Sequence, residues 1–215
     1  MKYKLIIFDC DGTLLYTLDD LTEAVNYANE TLGLKTYTSN DLIKFVGNGI
    51  GALIKEAIGE KNLNMYDKAM ELFKEHYSVH FADKTIPYSG ILEILRELKN
   101  NGYLLALVSN KNKQYLRLLY NKYFSEDITI CIGESEDLRK KPAPDLVEFV
   151  LNDLNISKSD VVYVGDSEVD MQTAQNSGVD FIAVSWGYRT KEFLMKCGAK
   201  TIIDTPHQIL NYLNY

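Results

Sequence analysis

The stretch Leu5-Ile6-Ile7-Phe8-Asp9-Cys10-Asp11-Gly12-Thr13 passes without a break from an apolar run into two aspartates, a glycine and a threonine. A short run that stays apolar, here Tyr3 to Phe8, is the pattern of a β-strand covered on both faces. The polar residues that follow at once then form the loop at its carboxyl end. The pattern recurs at Tyr103 to Val108, Asp127 to Cys131, Val161 to Val164 and Phe181 to Val184. Helical patterns lie between these runs, at Ile91 to Asn100, Lys113 to Tyr123, Pro144 to Leu154 and Glu168 to Ser177. From about residue 88 onward strand and helix alternate, which implies a parallel sheet sandwiched by helices.

The stretch from about Leu18 to Tyr77 differs, because it shows helical periodicity and no convincing strand. It reads as a helical insertion. The first strand must still pair with strands some ninety residues later, so the insertion is expected to stand on top of the sheet and not inside it. There it would roof the carboxyl ends of the strands, where open α/β sheets bind ligands. The expected architecture is an α/β, doubly wound, Rossmann-like core from residues 1–15 and 84–215, with a helical cap domain at 16–83.

A chain of 215 residues sits between the usual sizes of one domain and two, which suits a core carrying an insertion. Hydrophobic residues at 46% and charged residues at 25% are ordinary for a globular protein and give no support to disorder. The balance of 23 Lys and Arg against 30 Asp and Glu, formally −7, argues against general binding to nucleic acid or anionic membrane. The fifteen tyrosines are accordingly assigned to packing and not to base stacking. Leu5 to Phe8 is too short for a signal-peptide core, and no later stretch is long enough to span a bilayer, so a cytoplasmic location is expected. Cys10, Cys131 and Cys197 are too few and scattered for a disulfide framework or a zinc pattern. The aspartates flanking Cys10 would raise its thiol pKa, which points to buried filler and away from a nucleophile.

Four short segments follow four of the expected strands: Asp9-Cys10-Asp11-Gly12-Thr13, Ser109-Asn110, Lys141-Pro142, and Gly165-Asp166-Ser167-Glu168-Val169-Asp170. In a parallel sheet these loops open on one edge, so carboxylates, a hydroxyl, an amide and a lysine converge from positions up to about 160 residues apart. Two carboxylates about 4 Å apart repel by ~4 kcal/mol at an effective dielectric near 20, so such a cluster calls for a cation. Oxygen ligands of this kind suit magnesium, which also binds phosphate. Asp166 and Asp170, four apart at a helix start, are placed to reach one metal, directly or through water. Taken singly, each residue has a plainer explanation: Thr13 or Ser109 capping a turn, Gly12 and Gly165 permitting tight turns, Asp166 capping a helix, Lys141 solvated on the surface. The convergence favours the functional reading, because carboxylates desolvated at one edge without a cation carry a large cost.

The order Asp-x-Asp-Gly-Thr, Ser-Asn, Lys-Pro and Gly-Asp-x-x-x-Asp resembles the four signature motifs of the haloacid dehalogenase superfamily, over nearly the whole chain. The resemblance implies a two-step reaction on a small phosphorylated metabolite. Asp9 attacks phosphorus, Asp11 protonates the leaving alkoxide, and water then hydrolyses the aspartyl phosphate with Asp11 as base. It further implies that Ser109 and the backbone at Asn110 hold phosphate oxygens and that Lys141 neutralises charge on the transferring group and on Asp9. Asp9, the backbone carbonyl of Asp11 and Asp166 would ligate Mg2+, with Asp170 a direct or water-mediated partner.

The insertion after the first motif, together with Phe45-Val46-Gly47-Asn48-Gly49 and Val184-Ser185-Trp186-Gly187-Tyr188-Arg189, looks most like the phosphoglycolate phosphatases of that superfamily. Tyr16 departs from the acidic residue that many members carry there. On this resemblance Gly47, Asn48 and Gly49 form a cap loop reaching the substrate's non-phosphate end, against the plainer reading of an interhelical turn. Gly47-x-Gly49-x-Gly51 follows a helix and is no dinucleotide fingerprint. His76 and His80, four apart on a helix, are read as packing or solvated residues before metal ligands. A β-phosphoglucomutase, a phosphatase of pyrophosphate, nucleotides or sugar phosphates, and a phospho-accepting signalling module stay open as alternatives, as do monomer and homodimer.

Overall fold

The structure, a computed structural model, describes residues 2–213. In chain order its elements are β1 (Leu5–Phe8), β2 (Leu15–Tyr16), α1 (Leu18–Thr31), α2 (Ser39–Leu42), α3 (Ile50–Ile58), α4 (Tyr66–His80) and β3 (Ile86–Pro87). There follow α5 (Ile91–Asn100), β4 (Leu104–Asn112), α6 (Lys113–Tyr123), β5 (Ile130–Glu134), α7 (Asp145–Leu154) and β6 (Val161–Gly165). The chain ends on α8 (Glu168–Ser177), β7 (Asp180–Val184), α9 (Lys191–Lys196), β8 (Ile202–Ile203) and α10 (Gln208–Leu213). It divides into two compact units, Met1–Leu15 with Pro87–Tyr215, and Tyr16–Ile86.

The first unit holds a six-stranded sheet of order β5-β4-β1-β6-β7-β8, parallel at every pairing. All four residues of β1 are fully buried, as an unbroken apolar run between two helical layers requires. Leu5, Ile7, Ala106, Val108, Val161 and Tyr163 pack on one face against Leu146, Val147 and Val150 of α7 and Ala174 of α8. Removing one such branched side chain, as in Ile7→Ala, costs about 2–5 kcal/mol through lost burial and the cavity left behind. α5 shows why these helices form where they do: Ile91, Ile94, Leu95 and Leu98 recur at helical spacing and are buried, and Gly102 at φ +87° closes the turn beyond.

β1 pairs with β4 on one side and β6 on the other, Phe8 standing level with Leu107 and Val164. The chain runs outward from β1 through β4 to β5, then returns to β6 on β1's other side. The carboxyl ends of β1, β4 and β6 therefore flank the point where the strand order reverses, which is where open α/β sheets leave a crevice.

The other unit is helical. α1 buries Leu18, Leu21, Ala24, Val25 and Ala28, α3 buries Leu53, Ile54, Ala57 and Ile58, and α4 buries Ala69, Leu72, Phe73 and Tyr77. Its first helix is tied to its exit by buried Asp20, whose carboxylate accepts from Lys84 N (2.9 Å), Thr85 N (2.8 Å) and Thr85 Oγ1 (2.7 Å). The rings of His76 and His80 pack at 4.5 Å, tilted by 36°, with Tyr27 beyond His76 at 5.0 Å and Asp83 on His80 Nδ1 at 2.7 Å.

Two strands depart from their sequence patterns. The expected strand Asp127 to Cys131 begins only at Ile130, because Asp127 N and Ile128 N donate to Phe124 O and prolong the turn of α6. Thr129 N is the first to reach the sheet, at Leu105 O. β4 runs past Val108 to Asn112, so Ser109 and Asn110 lie within a strand, across a register shift between Val108 and Asn112. The short β2, β3 and β8 carry two residues each, too few for a periodic signal.

Candidate active site

Asp9 leaves β1 with its N–H donating to Val164 O, and Cys10 O then accepts from Thr13, Leu14 and Leu15 N, curling the loop into a tight turn. Gly12 sits at φ +84°, and a Cβ there would meet Asp166 Oδ2 at 2.4 Å, so both backbone and space demand glycine. Gly165, closing β6, is constrained by space: its Cβ would lie 2.4 Å from that of Asp170. These contacts let the β1 and β6 loops approach until Asp9, Asp166 and Asp170 offer carboxylate oxygens within 4.8 Å of one another. All three are buried, at 7%, 1% and 0% exposure.

Asp166 and Asp170 are held by hydrogen bonds. Asp166 accepts from Thr13 Oγ1 (3.1 Å) and Tyr188 N (2.7 Å). The N-cap of α8 is Ser167 and not Asp166: Asp170 Oδ2 accepts from Ser167 N and Oγ in a capping box. The other Asp170 oxygen takes Lys141 Nζ at 2.7 Å. That ammonium also lies 2.8 Å from Asp9 Oδ1 and donates to Tyr163 Oη at 3.0 Å, while Tyr163 Oη donates to Val108 O. Lys141 is held from behind as well, since Asn110 Nδ2 donates to Lys141 O (3.0 Å) and Lys141 N donates to Asn110 Oδ1 (2.8 Å). The side chain of Asn110 is therefore a clasp on the lysine backbone. Ser109 is buried at the same strand end, with Lys111 N donating to its Oγ at 3.3 Å.

The electrostatics follow from burial. Desolvation raises the Asp9 carboxyl from 3.8 to about 7; Lys141 opposes the rise, and Asp170 and Asp11 add to it. Asp166 is pushed well above the usual carboxylate range by burial first, then by Asp170 and Asp9. Burial alone would lower Lys141, but Asp170 and Asp9 outweigh it and hold the ammonium charged. Burial, with Asp11 next, raises the Cys10 thiol well above its ordinary value, in keeping with a packing role. Asp9 Oδ1 is buried and makes no hydrogen bond of acceptable geometry, although Lys141 is close. An oxygen-only trio with two disfavoured charges and one orphaned oxygen fits a small hard cation such as Mg2+.

The structure thus brings Asp9, Asp166, Asp170, Lys141, Ser109 and Asn110 to one strand edge, with Asp11 in the same loop as Asp9. Gly47, Asn48 and Gly49 belong to the helical unit, in the turn before α3, with Gly47 at φ +124° and Gly49 at +83°. Three residues escaped the sequence reading. Tyr163 looks like one more apolar residue of its strand; only its hydroxyl marks it. Ser167 looks like a spacer. Lys111 carries a signal that could have found it, two positions beyond Ser109 on one strand: its ammonium lies 3.0 Å from Asp11 Oδ1, with 3% of the side chain exposed.

Residues 6–184 match the family profile of haloacid dehalogenase-like hydrolases. The chain is 31% identical to a phosphoglycolate phosphatase of Psychrobacter arcticus, over 99% of this chain and 96% of that protein. It is 32% identical to one of Aliivibrio fischeri, over 98% and 96%. A solved chain from Lactobacillus delbrueckii subsp. bulgaricus, provisionally assigned as a phosphoglycolate phosphatase, superposes with a TM-score of 0.92 at 36% identity, covering 99% of both chains. With these motifs spread over nearly its full length on this sheet, the chain belongs to the haloacid dehalogenase-like hydrolases and is a phosphatase of that family.

Proposed function

We propose that the protein hydrolyses small phosphate monoesters, 2-phosphoglycolate above all, through an aspartyl phosphate on Asp9. The observation that carries the reading is the buried Asp9-Asp166-Asp170 trio with Lys141 bridging Asp9 and Asp170. The substrate rests on relatives named phosphoglycolate phosphatase at 31–32% identity over nearly the full chain.

In the first step an Asp9 carboxylate oxygen attacks phosphorus and the bond from phosphorus to the ester oxygen breaks. The leaving alkoxide takes the proton of Asp11. In the second, water attacks phosphorus, its proton passes to Asp11, and the bond to Asp9 breaks, restoring the carboxylate and releasing inorganic phosphate. Ser109 Oγ and the backbone at Asn110 hold phosphoryl oxygens. Lys141, fixed by Asn110, Tyr163 and Asp170, balances the charge of the phosphoryl group beside Asp9. Asp9, the Asp11 carbonyl and Asp166 would hold Mg2+, which when bound supplies positive charge against the carboxylates and the phosphoryl oxygens. Asp170 would be a direct or water-mediated partner of the ion, and its oxygens, which accept from Ser167 and Lys141, also position the lysine.

Gly47, Asn48 and Gly49 are proposed to select among leaving groups, and a cytoplasmic monomer or homodimer completes the reading. The test is a panel of 2-phosphoglycolate, hexose phosphates, pyrophosphate and nucleoside monophosphates compared by kcat/KM with magnesium. Highest kcat/KM on 2-phosphoglycolate, with release of phosphate and no isomer, is the expected result. Preference for another member of the panel overturns the substrate, and isomer formation overturns the hydrolysis.

A further inference from the structure

We propose that Lys111 is a specificity-determining residue: its ammonium recognises negative charge on the leaving group, so the site favours esters of small hydroxy acids over those of neutral alcohols. The inference rests on the reading above in one respect, that Asp11 meets the ester oxygen.

Lys111 projects from the end of β4, two residues after Ser109, and its backbone N–H donates to Ser109 Oγ. Its Nζ lies 3.0 Å from Asp11 Oδ1, with Lys111 buried and Asp11 partly so, 3% and 15% of the two side chains being exposed. The phosphoryl cradle already has a lysine in Lys141, which faces Asp9 and Asp170. Lys111 faces the other aspartate. A carboxyl that protonates the ester oxygen comes within about 2.7 Å of it. Where Oδ1 makes both contacts, adding the 3.0 Å from it to Nζ puts the ammonium no more than about 6 Å from that oxygen. A carboxylate one carbon beyond the ester oxygen falls inside this radius, and a hydroxyl far out on a hexose does not. An ammonium carries three N–H donors, so holding Asp11 and grasping a ligand carboxylate are compatible tasks. Desolvation keeps the charge effective, because water and salt screen a buried ammonium little.

The expected size follows from hydrogen bonds to charged groups, about 1.5–3 kcal/mol, or roughly tenfold to a hundredfold in relative kcat/KM. The experiment compares three substrates of similar size: 2-phosphoglycolate, ethyl phosphate and phosphoethanolamine, whose leaving groups are anionic, neutral and cationic. Wild type should rank them in that order. Lys111→Met should shrink the ratio of 2-phosphoglycolate to ethyl phosphate by about tenfold or more, through KM more than kcat, and Lys111→Arg should restore most of it. A merely structural lysine would lower all three substrates together and leave the ratio in place, which overturns the proposal. Should the methionine variant not fold, the wild-type ranking and Lys111→Gln decide: a ranking indifferent to charge, or an unchanged anionic preference in the glutamine variant, overturns it equally. Wild type that hydrolyses none of the three refutes the phosphatase reading of the site; one that hydrolyses all without a Lys111 effect refutes this inference alone.

Discussion

Asp9→Asn should make the metal-free protein more stable at alkaline pH while abolishing turnover. The rise of the Asp9 carboxyl from 3.8 to about 7 means that the folded chain holds its proton more tightly than the unfolded chain does. A carboxyl raised on folding contributes stability that is complete below the unfolded value and is lost as pH climbs through the folded one. At 1.36 kcal/mol per decade, the loss between pH 4 and pH 8 is about 4 kcal/mol, and an amide, neutral at every pH, does not suffer it. The variant and the wild type should therefore differ by less than about 1 kcal/mol near pH 4 and by about 4 kcal/mol above pH 8. For a chain of this length that is a rise in Tm on the order of 10 °C. Denaturant unfolding in excess chelator, repeated across the pH range, measures the difference. Magnesium should then stabilise wild type above pH 7 more than the variant, since binding to the folded state adds RT ln(1 + [L]/Kd) and the amide is a poorer ligand. An asparagine variant less stable than wild type at pH 8, or a difference that does not move with pH, would refute the assignment of Asp9 as a carboxylate whose burial outweighs its pairing with Lys141.

Asp11→Asn should lower kcat by about 10²- to 10⁴-fold, more for a poor leaving group than for p-nitrophenyl phosphate, and equal losses on the two would count against the acid role. Asp166→Ala should weaken magnesium binding, read by titration calorimetry or by the metal needed for half-maximal activity; an unchanged requirement would remove Asp166 from the ligand set. Asn48→Ala should change the ratio of kcat/KM between 2-phosphoglycolate and an aryl phosphate more than it changes the aryl rate, and a uniform loss would return the loop to an ordinary turn. Asp20→Ala removes an acceptor of three hydrogen bonds and should cost about 2–4 kcal/mol, checked by denaturant unfolding; a cost under 0.5 kcal/mol would deny it that anchoring role.

The sheet was legible because burial on both faces writes itself as unbroken apolar runs, and Leu5 to Phe8 has no polar position at which to mistake it. The bounds of α5, α6 and α8 agree with their patterns for a related reason: helical spacing and the residues that cap the ends, Asn112 before α6 and Gly178 after α8, are local signals. The start of β5 was not legible, since Ile128 is apolar in either role and only its hydrogen bond to Phe124 O assigns it to the turn. In the site, Asp9, Asp11, Asp166, Asp170 and Lys141 were singled out by type and by the loops that carry them, whereas Lys111, Tyr163 and Ser167 were not. Tyr163 and Ser167 act through a single hydroxyl each, within a strand and a helix start that would tolerate many residues on pattern alone. Asn110 was read only for its backbone in a phosphate cradle, and the clasp made by its side chain was not legible, because its partner is a backbone 31 positions away.

The two lysines divide the site's charge between its two halves. Asp9, Asp166 and Asp170 stand with Lys141, and Asp11 stands with Lys111. The first group keeps two surplus negative charges when all its carboxylates ionise, which is the charge of one divalent cation. The second is neutral by itself. An anionic phosphoryl group entering without the cation would face carboxylates that are already raised by burial and mutual repulsion, so cation and substrate should bind with mutual assistance. Asn110 and Tyr163 matter here although neither carries charge. By fixing Lys141 through its backbone and its ammonium, they hold it in one place, so that in the proposed reaction the phosphoryl group would meet a charge already positioned. The sequence separation of these parts is large, but their placement needs only the ends of β1, β4 and β6, brought side by side by runs of Leu, Ile and Val, and the loop between β5 and α7 that carries Lys141.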